Sequence, residues 1–286
     1  MPELPEVETI ARTLRPQLIG RIILEANVRW ARTIATPSVN KFKELVKGQQ
    51  VREVSRRGKF LIIKLTSTRE PRNEPYNLLI HLRMSGDLMV KKGKIKPEKH
   101  DRLILDLTPD PRSGRHKAGI METSLVFNDT RKFGRVWLTK NIEEVTGGLG
   151  PEPLKKDFTA QWLFIALGQR HRRLKPLLLD QTFLAGLGNI YTDETLHKAK
   201  LHPLTLSDSV TRNEAEHLYN AIQSTLKEGI RRNGASIDWV YRGGEFQNHF
   251  RVYDREGKPC PVCGTIIQKL NVGQRGTHIC PNCQRE

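Results

Sequence analysis

Two groups of residues have types and spacings that can do chemistry, and they lie near opposite ends of the chain. The first is the opening stretch, "MPELPEVETI". Methionine is normally removed when the second residue is small, and its removal would leave Pro2 with a free secondary amine. An α-amino group titrates near about 7.7–8.0, so an appreciable fraction is neutral at physiological pH. Such an amine can attack an aldehyde carbon and give a charged iminium, an electron sink for breaking neighbouring bonds. Glu3 stands beside it as a possible proton donor or acceptor. Glu6 falls in a first helical turn, where the dipole favours a carboxylate. The plainer alternative is that "PELPE" only caps a helix, and local chemistry leaves both open.

The second group is a cysteine tail, "CPVC" (Cys260, Cys263) and "CPNC" (Cys280, Cys283), two C-x2-C pairs separated by 16 residues. This spacing suits four thiolates on one tetrahedral zinc, a closed site and therefore a structural one. Redox pairs are the competing reading. Between the pairs, "GQRGTH" flanks Arg275 with glycines, so a tight turn would carry the guanidinium at its tip. A basic tip can grip phosphate or enter a groove. It can equally be a solvated surface arginine.

The elements that must position these groups fall into two patterns. Up to residue 148, "RIILEANVRW", "KFLIIKLT", "NLLIHLRM", "RLILDLT" and "SLVFND" read as strands bounded by turn residues. Strands without intervening helices predict an antiparallel sandwich or barrel. One helix precedes them, with Val7, Ile10, Ala11, Leu14 and Leu18 on one face and Gly20 as its stop. The polar stretch 107–124 reads as a long exposed loop. "GGLGPEP" (147–153) marks a linker, and beyond it "TAQWLFIALGQR", "KPLLLDQ", "IYTDETLHKA" and "VTRNEAEHLYNAIQSTLKEGIRR" read as helices. We therefore divide the chain into 1–148, 149–250 and a finger at 251–286.

The charge balance names a partner class. The chain has 48 Lys and Arg against 31 Asp and Glu, a net +17. That excess points to a polyanion, nucleic acid first. No apolar run is long enough to span a bilayer and the opening residues do not read as a secretion signal, so a cytoplasmic protein is expected. "LAGLGNIYTDE" (184–194) places a glycine turn before a helix, where backbone N–H groups and Asn189 could bind phosphate, the plainer alternative being an ordinary glycine-asparagine turn. The nearby run Arg170, Arg172, Arg173 and Lys175 then reads as DNA contact rather than a merely solvated face.

Together, "MPELPEVETI", "SRRGKFL", "HLRMSG", "DTRKFGRVWL", "LGPEPL", "LLDQTFLAGLGNIYTDE" and the tail resemble the bacterial formamidopyrimidine-DNA glycosylases over nearly the whole chain. Arg83 in "HLRMSG" stands where that family usually has glycine, and the 109–122 insert is longer than usual. The resemblance implies an α+β protein. It would have an N-terminal antiparallel β-sandwich with a leading helix, then a helix–two-turn–helix domain and a β-hairpin zinc finger. It implies removal of oxidised purines (8-oxoguanine and formamidopyrimidines) opposite cytosine, with strand cleavage by β,δ-elimination; nothing in the sequence requires more than a monomer.

By motif, Pro2 resembles the Schiff-base nucleophile and Glu3 the general acid/base. Lys59 resembles the lysine assigned to proton donation in β-elimination, and Arg275 the finger arginine of δ-elimination. Asn189, His100, Arg131, Lys175 and His171 fall at DNA-binding positions, the last in a loose alignment. Met84, Arg131 and Phe133 resemble the trio that fills the gap left by an extruded nucleotide, and 233–250 resembles the loop that covers the extruded base. Chemistry at C1′ requires the nucleotide to leave the stack, and an apolar wedge must then hold the gap. Two other readings compete: the endonuclease VIII branch, which prefers oxidised pyrimidines, and a DNA-binding protein without catalysis.

Overall fold

The computed structural model describes residues 1–68, 74–93, 95–109, 123–236 and 243–285. The loop expected at 107–124 and the centre of the expected covering loop, 237–242, lie outside the described residues except at their margins. The chain forms two compact units, one built on Val7–Gly148 together with Met1–Pro2, the other on Glu3–Glu6 and the chain from Leu149 onward.

In the first unit, helix α1 (Leu4–Leu18) contributes Val7, Ile10, Ala11, Leu14 and Leu18, all nearly or fully buried. These positions recur every three or four residues, so they form one face. Gly20 follows at a φ of 88°, a left-handed conformation that glycine adopts without steric cost. The strands are β1 (Ile23–Val28), β2 (Ile34–Thr36), β3 (Gln49–Arg57), β4 (Phe60–Ser67), β5 (Tyr76–His81), β6 (Gly86–Lys92), β7 (Asp101–Leu107), β8 (Thr123–Asp129) and β9 (Arg135–Thr139). Helices α2 (Val39–Val46) and α3 (Glu143–Thr146) are short.

Two sheets result, ordered β1-β7-β8-β6 and β2-β9-β5-β4-β3. Every pairing is antiparallel except β2 with β9, which is parallel and departs from the expected pattern. Alternate residues such as Leu61, Ile63 and Leu65 on β4 and Leu103, Leu105 and Leu107 on β7 enter one shared core. That period of two is what a sandwich with one buried face per sheet requires. Strand β3 has a sequence, QQVREVSRR, too polar to have been read as a strand; Val51 and Val54 are its only buried apolar residues.

In the second unit the helices are α4 (Ala160–Gly168), α5 (Leu174–Leu179), α6 (Asn189–Ala199) and α7 (Arg212–Arg231). Thr159 caps α4 by accepting from Trp162 N. Thr211 and Glu214 form a reciprocal capping box on α7. Strands β10 (Gln268–Val272) and β11 (Arg275–Ile279) make the terminal hairpin, whose two turn residues, Gly273 and Gln274, have φ of 54° and 62°. Positive φ at both positions matches the right-handed twist of the flanking strands. The turn therefore lies at 273–274, and Arg275 is the first strand residue, exposed beside the tip.

Helix α6 is buried almost all round, including Thr192, Asp193, Glu194, Thr195 and His197. The charged groups of a helix in that position need partners from their surroundings. Those partners organise the candidate site.

Candidate active site and nucleic-acid contacts

The amino end of α6 holds a carboxylate. Glu3 accepts from Gly188 N at 2.6 Å, Ile190 N at 2.9 Å and Tyr191 N at 3.4 Å. These N–H groups are occupied by the chain's own anion. The physical reason is the one that suggested phosphate, because a helix amino terminus carries unpaired donors and partial positive charge. Glycine is required at 188, where a Cβ would overlap the Glu3 carboxyl group.

Glu6 braces the same segment. Its carboxylate accepts from Glu3 N at 2.8 Å, Tyr191 Oη at 2.8 Å and Ala235 N at 2.7 Å. Burial pushes its pKa up, and those three donors hold part of the rise back. Leu4 N donates to Gly186 O at 3.1 Å, so Glu3–Glu6 is tied to the helices by backbone and side chain together.

Lys175 departs from its expected role. Its side chain is fully buried, and Nζ donates to Asp193 Oδ1 at 2.5 Å and to Gly276 O at 3.1 Å. Burial pushes the ammonium pKa down, while Asp193 opposes the shift. The other Asp193 oxygen accepts from His278 N at 3.0 Å, and Asn189 Nδ2 donates to Gly276 O at 2.9 Å. Strand β11, which carries Arg275, is thus pinned to α5 and α6 by buried charge. Sequence reading missed Asp193 and Glu194. Glu194 accepts from the backbone N–H groups of Arg251, Val252 and Tyr253, at distances from 2.8 to 3.1 Å. Their one signal was acidic residues in a helix without an amphipathic pattern.

The basic run around Lys175 is mixed. His171 is exposed with Nδ1 2.7 Å from Asp208 Oδ2, and Arg172 donates to Asp180 at 2.8 Å. Arg173 is exposed, and Arg170 lies over the Phe183 ring, 5.0 Å from its centroid.

In the first unit, Lys59 lies in the two-residue turn between β3 and β4, not in a strand, and is nearly buried; Gly58 before it has a φ of 55°. His81 on β5 packs edge-on against Phe60, centroids 4.7 Å apart, and accepts from Arg83 N at 3.0 Å. Burial, Arg83 and Lys59 together lower its pKa to about 3. Arg83 has a φ of 56°, a left-handed conformation that side chains other than glycine rarely adopt.

Asp129, buried at the end of β8, gathers the remaining positions. One of its oxygens accepts from Ser85 Oγ and from Arg131 N, and the other from Gly134 N. Ser85 Oγ also accepts from Arg131 N at 3.1 Å. Asp129 N donates to His100 O at 2.9 Å. Met84, Arg131 and Phe133 are all exposed, Met84 by 41% and Phe133 by 48%. An exposed methionine and phenylalanine on two loops fixed by one buried carboxylate are not core residues. Arg131 lies 5.2 Å from the Phe133 centroid, and Lys132 Nζ lies 4.1 Å from the Trp30 ring.

The four cysteine sulfurs lie within 4.8 Å of one another. Cys263 Sγ lies 3.4 Å from Cys280 Sγ and 3.5 Å from Cys283 Sγ, and Cys260 Sγ lies 3.9 Å from Cys283 Sγ. Sulfurs about 2.3 Å from a tetrahedral zinc stand about 3.8 Å apart, so the cluster fits that ion. Its chemistry there is structural, closing the hairpin.

Comparison with known proteins decides the family. The formamidopyrimidine-DNA glycosylase N-terminal domain matches residues 1–136, that enzyme's H2TH domain matches 149–240, and a zinc finger found in FPG and IleRS matches 257–285. The chain belongs to the formamidopyrimidine-DNA glycosylase family. The formamidopyrimidine-DNA glycosylase of Pelotomaculum thermopropionicum is 42% identical over 100% of this chain and 99% of its own. That of Chloroflexus aurantiacus is 42% identical over 99% and 98%. Among solved structures, Lactococcus lactis Fpg in complex with an abasic site containing DNA aligns at a TM-score of 0.88 and 33% identity, covering 99% of this chain and 100% of that one. MutM in complex with carbocyclic 8-oxo-G containing DNA aligns at 0.87 and 33%, covering all of both chains. Family membership and the sulfur geometry agree on one structural zinc held by Cys260, Cys263, Cys280 and Cys283.

Proposed function

We propose that this chain is a bifunctional DNA glycosylase and abasic-site lyase of base excision repair, removing oxidised purines from duplex DNA and nicking the strand by β,δ-elimination. The observation that carries this reading is the intact Pro2–Glu3 pair at the head of a chain that family models match in order to residue 285. Once Met1 is removed, the Pro2 nitrogen attacks C1′ of the damaged nucleotide. The bond from C1′ to the base breaks and the base leaves with a proton; the Pro2 nitrogen gives up its own proton, and the C1′–O4′ bond then opens with O4′ taking a proton, so that an iminium joins Pro2 to the open-chain sugar. Loss of a C2′ proton expels the 3′ phosphate, and a second elimination expels the 5′ phosphate.

Glu3 handles protons beside the amine, held in place by its three backbone donors. Lys59 serves β-elimination and Arg275 serves δ-elimination and phosphate grip. Met84 and Phe133 fill the vacated stack, and Arg131 satisfies the orphaned cytosine. Asn189, His100 and His171 contact the DNA backbone. Lys175 serves the site through β11 rather than by touching DNA. The protein acts in the cytoplasm as a monomer.

Borohydride trapping on duplex DNA with 8-oxoguanine opposite cytosine tests the reading. A covalent adduct through the amino terminus is expected, absent from Pro2→Gly carrying an extra residue ahead of it. Binding without an adduct would overturn the enzyme reading, and preferred trapping on an oxidised pyrimidine would move the chain to the endonuclease VIII branch.

A further inference from the structure

Helix α6 carries one more buried side chain with a partner outside the helix. His197 is 2% exposed, and its Nε2 lies 3.4 Å from Cys260 Sγ. Its other ring nitrogen, Nδ1, is buried without a hydrogen-bond partner among the described residues. Nδ1 is unsatisfied whether or not it carries the proton, so the choice of tautomer falls to Nε2, whose lone pair would otherwise face the electron-rich sulfur. A proton at Nε2 instead points at sulfur. His197 is not part of the four-sulfur cluster, so it does not complete the ligand set.

A tetrahedral site of four thiolates and one zinc carries a net charge of −2. Burying that charge is costly unless donors meet the sulfurs. Cys260 Sγ is buried and accepts from Val262 N at 3.4 Å; Cys280 Sγ accepts from Cys283 N at 3.5 Å. These donors come from within the finger. The histidine is different, because it comes from α6, the helix that also holds Glu3 and, through Asp193, strand β11.

We infer that His197 is a positioning residue of the zinc centre, donating its Nε2–H to the Cys260 thiolate and so tying zinc retention to helix α6. The bond withdraws charge from the sulfur, making it a poorer base and a poorer target for protonation and alkylation. It also orients Cys260 from outside the finger, so that the ligand is held by two elements rather than one.

The test uses the full-length, zinc-loaded protein. Zinc transfer to a chromophoric chelator should be about 10–100-fold more favourable in His197→Phe, which keeps a ring in the cavity but has no donor. His197→Gln, which can donate, should restore part of the loss. Equal zinc competition in the parent and His197→Phe would overturn the inference. Should the Phe variant fail to fold, the parent protein itself decides: nitrogen-15 spectra of its imidazoles should report an Nε2–H tautomer or the doubly protonated ring for His197. An Nδ1–H tautomer would overturn the inference, because Nε2 would then have no proton to give. Alkylation of Cys260 in the native protein, read by mass spectrometry, should be faster in His197→Phe, an effect that lost ring packing alone would not restrict to that cysteine.

Discussion

The carboxylate of Glu3 accepts the backbone N–H of Gly188 at 2.6 Å, and with two further donors it closes the amino terminus of α6. The residue next to the proposed nucleophile is thus held by backbone groups 185 and more positions away in sequence. Backbone donors on a packed helix have little freedom, so Glu3 is held in one orientation before substrate arrives. Preorganisation of this kind lowers the cost of reaching the transition state.

That relationship predicts the outcome at Gly188. Gly188→Ala places a Cβ on the Glu3 carboxyl group, which a buried helix end cannot move away from cheaply. Overpacking of this kind costs roughly 1–3 kcal/mol. A lowered melting temperature should accompany a fall in borohydride-trapped adduct. Glu3→Gln, similar in size, should fold but trap poorly; full trapping by Glu3→Gln would show that the charge of Glu3 is dispensable.

Lys175 separates a structural from a contacting cation. Removing one partner of a buried pair leaves an uncompensated charge and costs about 3–5 kcal/mol. Lys175→Met should therefore lower thermal stability strongly, and Asp193→Asn less so because an amide still receives the lysine. Each lysine or arginine on a phosphate adds about 0.9 to the slope of log affinity against log salt. Where Lys175→Met remains folded, that slope should match the parent, whereas Arg275→Ala should reduce it by about one.

The difference between what the sequence disclosed and what it did not follows the range of the interactions. Residues 190–199 were read as a helix from their composition, and the metal ligands from four cysteines whose spacing is itself the signal. The occupant of the helix terminus at 188–191 was not legible, because Glu3 lies 185 residues upstream and no local pattern couples the two. Lys175 looked like its basic neighbours since burial is set by Asp193 and Gly276, both distant in sequence. Asp129 passed unnoticed as the polar end of an expected strand, although it ties the loops of Met84 and Arg131 together. Strand β3 was missed because its outward face is charged, leaving too few apolar residues to mark the period.

His81 sets a pH dependence with a definite sign. Its pKa is about 3 in the folded chain and near 6.5 when unfolded, so between those values the unfolded state binds the extra proton. Its contribution to stability is complete above pH about 6.5 and is lost as pH falls towards 3. From pH 7.5 to 5.5 that loss is about 1.4 kcal/mol. His81→Asn keeps an acceptor for Arg83 N and does not titrate, so its melting temperature should fall less than the parent's over the same interval. An identical fall in both would place the acid sensitivity elsewhere, and the buried carboxyls Glu6 and Glu194 cannot supply it. Their raised pKa values give a contribution that is present at low pH and lost as pH rises.

Trp30 supports the loop that bears the proposed wedge. Lys132, at a φ of 62°, stands between Arg131 and Phe133 and places its ammonium 4.1 Å from the Trp30 ring. A cation over an aromatic face contributes about 0.5–1 kcal/mol at an exposed site. That is small against global stability but comparable with the cost of holding a short exposed loop in one conformation. Trp30→Ala should leave the melting temperature within a few degrees of the parent and reduce excision of 8-oxoguanine from duplex DNA several-fold. Trp30→Phe should retain most of the activity through its ring. On single-stranded DNA with a preformed abasic site, where no stacked partner need be replaced, Trp30→Ala and the parent should nick at equal rates. An equal loss on both substrates would mean that Trp30 acts on the chemistry or on general DNA affinity rather than on the wedge.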